Sequence, residues 1–137
     1  MCLGLTKDWR RNRAAARNLR NSITAYKVLR ISVDDSALIA PFMSHFTWST
    51  GHNISSRAKY KASSRVCPSS GEIRQHEVDE GFHLFRHLTD AKEFAKHDYN
   101  NHIFRVSIRP RDIIAVGRWR DCRSITAIRC SLHEEVK

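Results

Sequence analysis

The sequence predicts an α+β domain: a small, mainly antiparallel sheet with one packed helix and a long central loop. Strand-like segments outnumber helical ones, and the later strands are joined by short turns, which favours antiparallel pairing. The chain has 137 residues, of which 41% are hydrophobic and 28% charged, as in one soluble globular domain. No stretch reaches the ~18–20 apolar residues that a membrane-spanning helix needs, so we expect no membrane partner.

A basic N-terminal arm over residues 1–22 is expected to precede a single domain over residues 23–137. The arm carries Lys7 and five arginines against Asp8 alone, which is half of the net charge of +10. Its alanines favour a helix within Thr6–Asn21, with Thr6 as the cap, but its apolar stripe is too thin for a core helix. A marginal helix that becomes firm on a partner and a disordered extension fit this pattern equally well.

The next segments predict one strand and one long loop. Residues 24–33 are β-branched and aromatic, and one face of this strand holds Leu29, Ile31 and Val33. Residues 37–42 form a short apolar run. Residues 43–80 are polar, serine-rich and weakly periodic, so we expect a ligand-facing loop anchored by Trp48 and Tyr60, with one short strand at 59–62.

The second half of the chain predicts four strands and the packed helix. The helix covers Leu88–Asn100 and is capped by Thr89 or Asp90. One face of this helix carries Ala91, Phe94 and Ala95. Alternating apolar residues and turn signals place the strands at Gly81–Arg86, Ile103–Arg109, Ile113–Val116 and Ser124–Leu132.

The cysteines and histidines do not predict a metal site. None of the four cysteines lies in a C-x-x-C pair, and no spacing of the eight histidines completes a three-ligand set. Without a secretory signal we expect reduced thiols and a cytoplasmic protein. The arginine-rich start is also typical of organellar transit peptides, but Asp8 and the shortness of the segment weaken that interpretation.

The common hydrolase and nucleotide-binding fingerprints are absent, so no catalytic residue is assigned. The most particular stretch is G-F-H-L-F, which begins at Gly81. Within it His83 alternates with Phe82 and Leu84, so its side chain points away from theirs. His83 is then either a surface or hydrogen-bonded residue, or it lines a pocket beneath the central loop.

The order of these elements resembles small proteins of bacteriophages and mobile elements that share a G-F-H motif, over residues 25–132. The same order is similar to the ADP-ribosyltransferase fold, in which a glycine-aromatic strand precedes a helix of the A-x-x-[YF]-A kind. This resemblance implies NAD as a cofactor. That family places a catalytic glutamate late in the fold, whereas residues 118–132 offer only Asp121. With Trp48 from the loop, the candidate pocket comprises Tyr26, Arg30, Trp48, Gly81, Phe82 and His83.

Three basic clusters point instead to a polyanionic partner. Arginine forks bind phosphates bidentately, and neighbouring aromatic rings can stack on bases. The first two clusters are Arg10, Arg11, Arg13, Arg17 and Arg20 in the arm, and Arg57, Lys59, Tyr60 and Lys61 in the loop. The third is centred on Arg118, Trp119 and Arg120, accompanied by Arg105, Arg109, Arg111 and Arg123.

We therefore expect a non-enzymatic module, encoded by a phage or mobile element, that docks on nucleic acid or on a nucleoprotein complex without a cofactor. Two alternatives stay open. One is an ADP-ribosyltransferase-like or other nucleotide-binding enzyme with a cleft at the G-F-H strand. The other is an inhibitor that binds an acidic protein surface. The absence of a DNA- or RNA-reading motif argues against strong sequence specificity.

Overall fold

The computed structural model describes residues 3–5, 8–32, 36–40, 43–49, 51–54, 62–66, 73–78 and 81–137. These residues form an antiparallel sheet with two helices, which confirms the α+β class. The strands are β1 (Leu3–Leu5), β2 (Ile23–Ile31), β3 (Leu38–Ala40), β4 (Met43–Trp48), β5 (Gly51–Ile54), β6 (Ala62–Val66), β7 (Ile73–Val78), β8 (Phe82–Phe85), β9 (Asn101–Ile108), β10 (Ile113–Trp119), β11 (Cys122–Ala127) and β12 (Arg129–Val136). The helices are α1 (Trp9–Arg17) and α2 (Leu88–Ala95), and a 3-10 turn covers Pro110–Asp112.

Strand β2 is the branch point of the sheet. The strand order is β5-β12-β9-β2-β8-β11-β10-β1-β7-β6, and β3 joins β4 to β2 outside this path. One edge of β2 pairs with β9 over nearly its whole length. The other edge is shared, because β8 pairs with it at Tyr26 while β3 pairs with it at Arg30 and Ile31.

The main hydrophobic core spans this branch point. It contains Ala25 and Leu29 of β2, Val106 of β9 and Ala127 of β11, all with no exposed surface. A second cluster lies under α2, and a third lies under α1. The packing face of α2 is the predicted one, since Ala91, Phe94 and Ala95 all join the cluster beneath that helix.

Helix α1 packs on β10 instead of standing apart as an arm. Trp9 is buried in a cluster with Leu5, Ile114 and Ala115, so one large aromatic ring compensates for the thin apolar stripe. The helix begins after Asp8, whose side chain makes no capping bond, while Thr6, the predicted cap, lies outside the described residues. The division into residues 1–22 and 23–137 stays a prediction.

The expectation of a long central loop is wrong for much of residues 43–80. Strands β4, β5, β6 and β7 occupy the described parts of this segment. Strands β5 and β6 are the two edge strands in the strand order. An edge strand can be polar and still pair with its neighbour. Weak hydrophobic periodicity therefore does not exclude strands at such positions. The short strand predicted at 59–62 lies almost entirely outside the described residues.

Two boundaries in the second half also differ from the prediction. The segment Ser124–Leu132 forms two strands instead of one, because the chain changes neighbours at Ile128: β11 pairs with β10 and β8, whereas β12 pairs with β9 and β5. Helix α2 begins at Leu88 as predicted but ends at Ala95 instead of Asn100, and His87, just before it, has extended backbone angles. His87 is thus the N-cap, and Thr89 and Asp90 lie in the first turn. Among the described residues, no helix has the length and hydropathy to span a membrane.

Gly81 is required by the close approach of β8 to its neighbours. Its φ is +84°, and an added Cβ would lie 2.5 Å from Ile114 Cδ1 and 2.8 Å from Ala127 O. Gly51 has a similar φ of +91° but open space around the Cβ position. The two glycines therefore separate the effect of backbone strain from that of steric overlap.

We predict that Gly81→Ala lowers the free energy of unfolding by about 3 kcal/mol, because overpacking adds to the strain of a positive φ. Gly51→Ala, the matched control, should lower it by only about 1 kcal/mol. Urea denaturation monitored by tryptophan fluorescence measures both. Equal losses in the two variants would contradict the close packing at Gly81.

Candidate functional site

Four residues of the predicted pocket are packed into the core. Gly81, Phe82 and His83 are buried, and the Phe82 ring lies 4.7 Å from that of Trp48. His83 is only 4% exposed, so its interpretation as a surface residue is wrong. The reason is that β8 lies between β2 and β11 and all of its side chains are buried.

The other two residues of the predicted pocket have partners of their own. Tyr26 packs against the cluster under α2. Arg30 forms an ion pair with Asp98, with Nη2 3.2 Å from Oδ2, and its Nε donates to Asn101 Oδ1 at 3.0 Å. These two contacts of Arg30 hold the end of β2 against the segment that follows α2. The NAD-binding alternative stays a prediction.

Sequence reasoning missed a buried lysine in β2. Lys27 is 8% exposed, and its Nζ donates to His83 O at 2.9 Å. The Trp48 ring centroid lies 5.6 Å from the same nitrogen, at a distance typical of a cation–π contact. The alternation of residues along β2 could have revealed this burial, because Lys27 is in phase with Ala25 and Leu29 on the core face of the strand.

Burial changes the acid–base properties of this lysine and of a nearby thiol. Desolvation lowers the pKa of Lys27 to about 8, against a smaller raising effect of Cys130. Desolvation also raises the pKa of the Cys130 thiol to about 12. The thiol is therefore neutral throughout the physiological range, whereas the Lys27 amine loses its charge only as the pH rises through about 8. Cys122 and Cys130 are both free cysteines.

Carboxylates on β12 neutralise the basic side chains of β9. Arg105 binds Glu134 through two bonds, Nε to Oε1 at 2.7 Å and Nη2 to Oε2 at 3.1 Å. This bond lowers the pKa of Glu134 to about 2. On the neighbouring pair of residues, His102 Nδ1 contacts Glu135 Oε1. The β9–β12 part of the sheet is therefore balanced in charge.

The arginines of α1 have two different roles. Arg13 Nε donates to Ile114 O at 2.8 Å and Arg17 Nη1 donates to Ile113 O at 3.3 Å, so both fasten the helix to β10. The guanidinium of Arg10 lies 4.8 Å from the centroid of the Trp9 ring. Of the arginines predicted in the arm, all of which lie in the described residues, Arg11 and Arg20 are exposed and have no such role.

The third predicted cluster is divided by the fold. Trp119 joins an aromatic cluster, with ring centroids 5.9 Å from Phe85 and 5.4 Å from Phe94, and the guanidinium of Arg120 covers it at 4.8 Å. Its ring is therefore not an open platform for base stacking. Arg118 points to solvent. The second predicted cluster lies outside the described residues: Arg57, Lys59, Tyr60 and Lys61.

Three exposed arginines lie side by side where β8, β11 and β10 adjoin, and we call Arg86, Arg123 and Arg118 the arginine row. Arg118 and Arg123 are direct cross-strand partners, and the Arg86 amide donates to Arg123 O at 2.9 Å. Adjacent strands are about 4.8 Å apart, so the row spans about 10 Å. Arg86 was missed by sequence reasoning, because only the strand order brings it beside the other two.

The arginine row borders a groove of about 440 Å³ between α1 and the sheet. Ala15 of α1 and Leu19, just after the helix, contribute one wall, and the sheet contributes apolar residues such as Val116 and Ile125. Arg86 is positioned at this groove by a bond from its Nη1 to Thr24 O at 2.6 Å. We call this feature the α1 groove.

The α1 groove is electrostatically unbalanced. Among the described residues that line it, three are arginines and none is an aspartate or glutamate. In the described part of the chain, no carboxylate forms an ion pair with any member of the arginine row. Like charges directly opposite each other on neighbouring strands are destabilising, so the row concentrates positive potential at a cost to stability.

A second groove, of about 240 Å³, is lined by residues at the end of β9 and the start of β12. Its lining includes Arg109, Asp112, Arg129 and Cys130. Here Arg109 Nε is held by Asp112 Oδ2 at 3.2 Å, so one of the two arginines is neutralised. No three histidine, cysteine, aspartate or glutamate side chains of the described ranges are grouped to hold a metal ion.

Comparison with protein-family models, with curated proteins and with solved structures finds no match to this chain.

The buried lysine gives a testable pH dependence. Between about pH 8 and 10.5 the unfolded chain holds the Lys27 proton while the folded chain has lost it, so the free energy of unfolding rises with pH across this window. Relative to Lys27→Met, we predict that the wild-type protein gains up to about 3 kcal/mol between these limits. Urea denaturation at a series of pH values measures the difference. Parallel pH profiles of the two proteins would show that Lys27 is not desolvated.

Proposed function

We propose that the protein binds nucleic acid through the sugar–phosphate backbone, with the arginine row as the centre of the contact. The observation that supports this proposal is the arrangement of Arg86, Arg123 and Arg118 beside a groove whose described lining contains no carboxylate. Guanidinium groups bind phosphate oxygens through paired, charge-assisted hydrogen bonds. A phosphodiester chain supplies such oxygens at regular intervals, as a line of arginines requires.

Charge distribution favours this surface over the rest of the described molecule. On the β9–β12 side, Arg105 is neutralised by Glu134, and Arg30 is neutralised by Asp98. The arginine row keeps its charge available for a partner. Arg11 and Arg20, which are exposed on and just after α1, add to the positive potential that attracts a polyanion.

Binding of this kind is expected to be independent of sequence. Contacts to phosphates fix position and carry no base information. The aromatic side chain that the sequence singled out for stacking, Trp119, is occupied by Arg120 and by two phenylalanines. The affinity should therefore depend on salt far more than on base composition.

We predict that Arg118→Ala/Arg123→Ala weakens binding of a fluorescent oligonucleotide about tenfold. The loss of two phosphate contacts should also reduce the slope of log affinity against log salt by about 1.4 for a single strand and about 1.8 for a duplex. Fluorescence anisotropy across a salt series measures both quantities. The matched control is Arg105→Ala/Arg111→Ala, which removes the same charge from the β9 ion pair and from the 3-10 turn, and should change the affinity much less.

Three results would overturn the proposal. Equal weakening in both double variants would show that total charge, and not the arginine row, determines the affinity. Affinity that does not change with salt would exclude a phosphate-centred contact. A protein partner that co-purifies after nuclease treatment, and is lost in Arg118→Ala/Arg123→Ala, would assign the same surface to an acidic protein.

A further inference from the structure

The α1 groove combines two properties that a duplex-binding surface does not need. Its rim is cationic, whereas its lining includes the exposed Ala15 of the helix and the half-buried Val116 of the sheet. Leu19, which also lines it, is 53% exposed. The groove therefore offers apolar contact area directly beside its arginines.

We propose that the α1 groove takes single-stranded nucleic acid, with phosphates on the arginine row and unstacked bases against the apolar lining. This inference depends on the proposed function and narrows its substrate class. In a duplex the base faces are stacked against one another and only the edges reach the grooves, so an apolar wall gains no contact area. In a single strand each base can present its flat apolar face to a protein.

The dimensions of the groove agree with this substrate. A cavity of about 440 Å³ lies within the range of pockets that enclose small-molecule ligands. It lies between α1 and strands β10 and β11, so a flexible strand can enter between the helix and the sheet. Arg118 and Arg123 lie on adjacent strands, and Arg86 extends the row by one more strand, so a backbone that follows the row keeps its bases beside Leu19 and Ala15.

The face of helix α1 that borders the groove carries no charged side chain. Asn12, Ala15 and Ala16 are spaced three and four residues apart along α1, as on one face of a helix, and all three line the groove. Arg13 and Arg17 instead reach the carbonyls of Ile114 and Ile113. The helix therefore supplies shape and apolar surface to the groove, while the sheet supplies the charge.

Adjacent alanines of α1 provide a matched test of the groove itself. Ala15 lines the groove, whereas Ala14 is exposed outside it. Ala15→Phe fills the groove without changing the net charge, and Ala14→Phe makes the same chemical change one residue away. Leu19→Ser is a second variant, which removes apolar surface without adding bulk. Thermal melts establish that each variant folds.

Anisotropy titrations should use labelled oligo-dT and a hairpin duplex with the same number of phosphates, at one salt concentration. We expect the wild-type protein to bind the single strand at least about tenfold more tightly than the duplex, and Ala15→Phe to lose about tenfold for the single strand. Leu19→Ser should lose several-fold, and Ala14→Phe should match the wild type.

The outcomes separate this inference from the proposed function. Equal affinity for the two oligonucleotides, or equal behaviour of Ala15→Phe and Ala14→Phe, overturns the single-strand inference, while the effect of Arg118→Ala/Arg123→Ala would still support backbone binding. No salt-dependent binding of either oligonucleotide overturns both.

Discussion

The divided edge of β2 is the constraint on which the rest of the structure depends. One edge forms a long ladder with β9, but the other serves β8 at Tyr26 and β3 at Arg30 and Ile31. Through β8, this second edge connects β2 to β11, β10 and β1. The same branch point therefore separates the neutralised charges of β9 and β12 from the arginine row, and brings both parts of the sheet onto one core.

The core at this branch point contains the side chain of Lys27 as well as apolar side chains. Lys27 occupies a core position of β2 because its Nζ reaches a backbone oxygen, at His83, and the ring of Trp48. A hydrogen bond and an aromatic face offset part of the desolvation, and the lowered pKa shows that a penalty remains. Lys27 thus ties β2 to β8 and β4 at the place where the sheet branches.

The arginines of α1 and those of the neighbouring strands have different roles. Arg13 and Arg17 act within the fold, since each donates to a backbone carbonyl at the start of β10. Arg118 and Arg123 contribute charge that no described carboxylate balances. Counting arginines along the chain cannot separate these roles, because a guanidinium bound to a carbonyl and one exposed to solvent have the same sequence signature.

The sequence alone determined the α+β class, the packing face of α2 and the excess of positive charge, because these follow from local periodicity and composition. It placed Arg118 and Arg123 in one cluster, but together with Trp119, Arg120 and more distant arginines. Tertiary structure alone decided that Arg86 lies beside Arg118 and Arg123, that His83 is buried, and that polar segments within residues 43–80 form strands. Each of these depends on which strands lie side by side, and strand order is set by non-local contacts that leave no periodic trace in the chain.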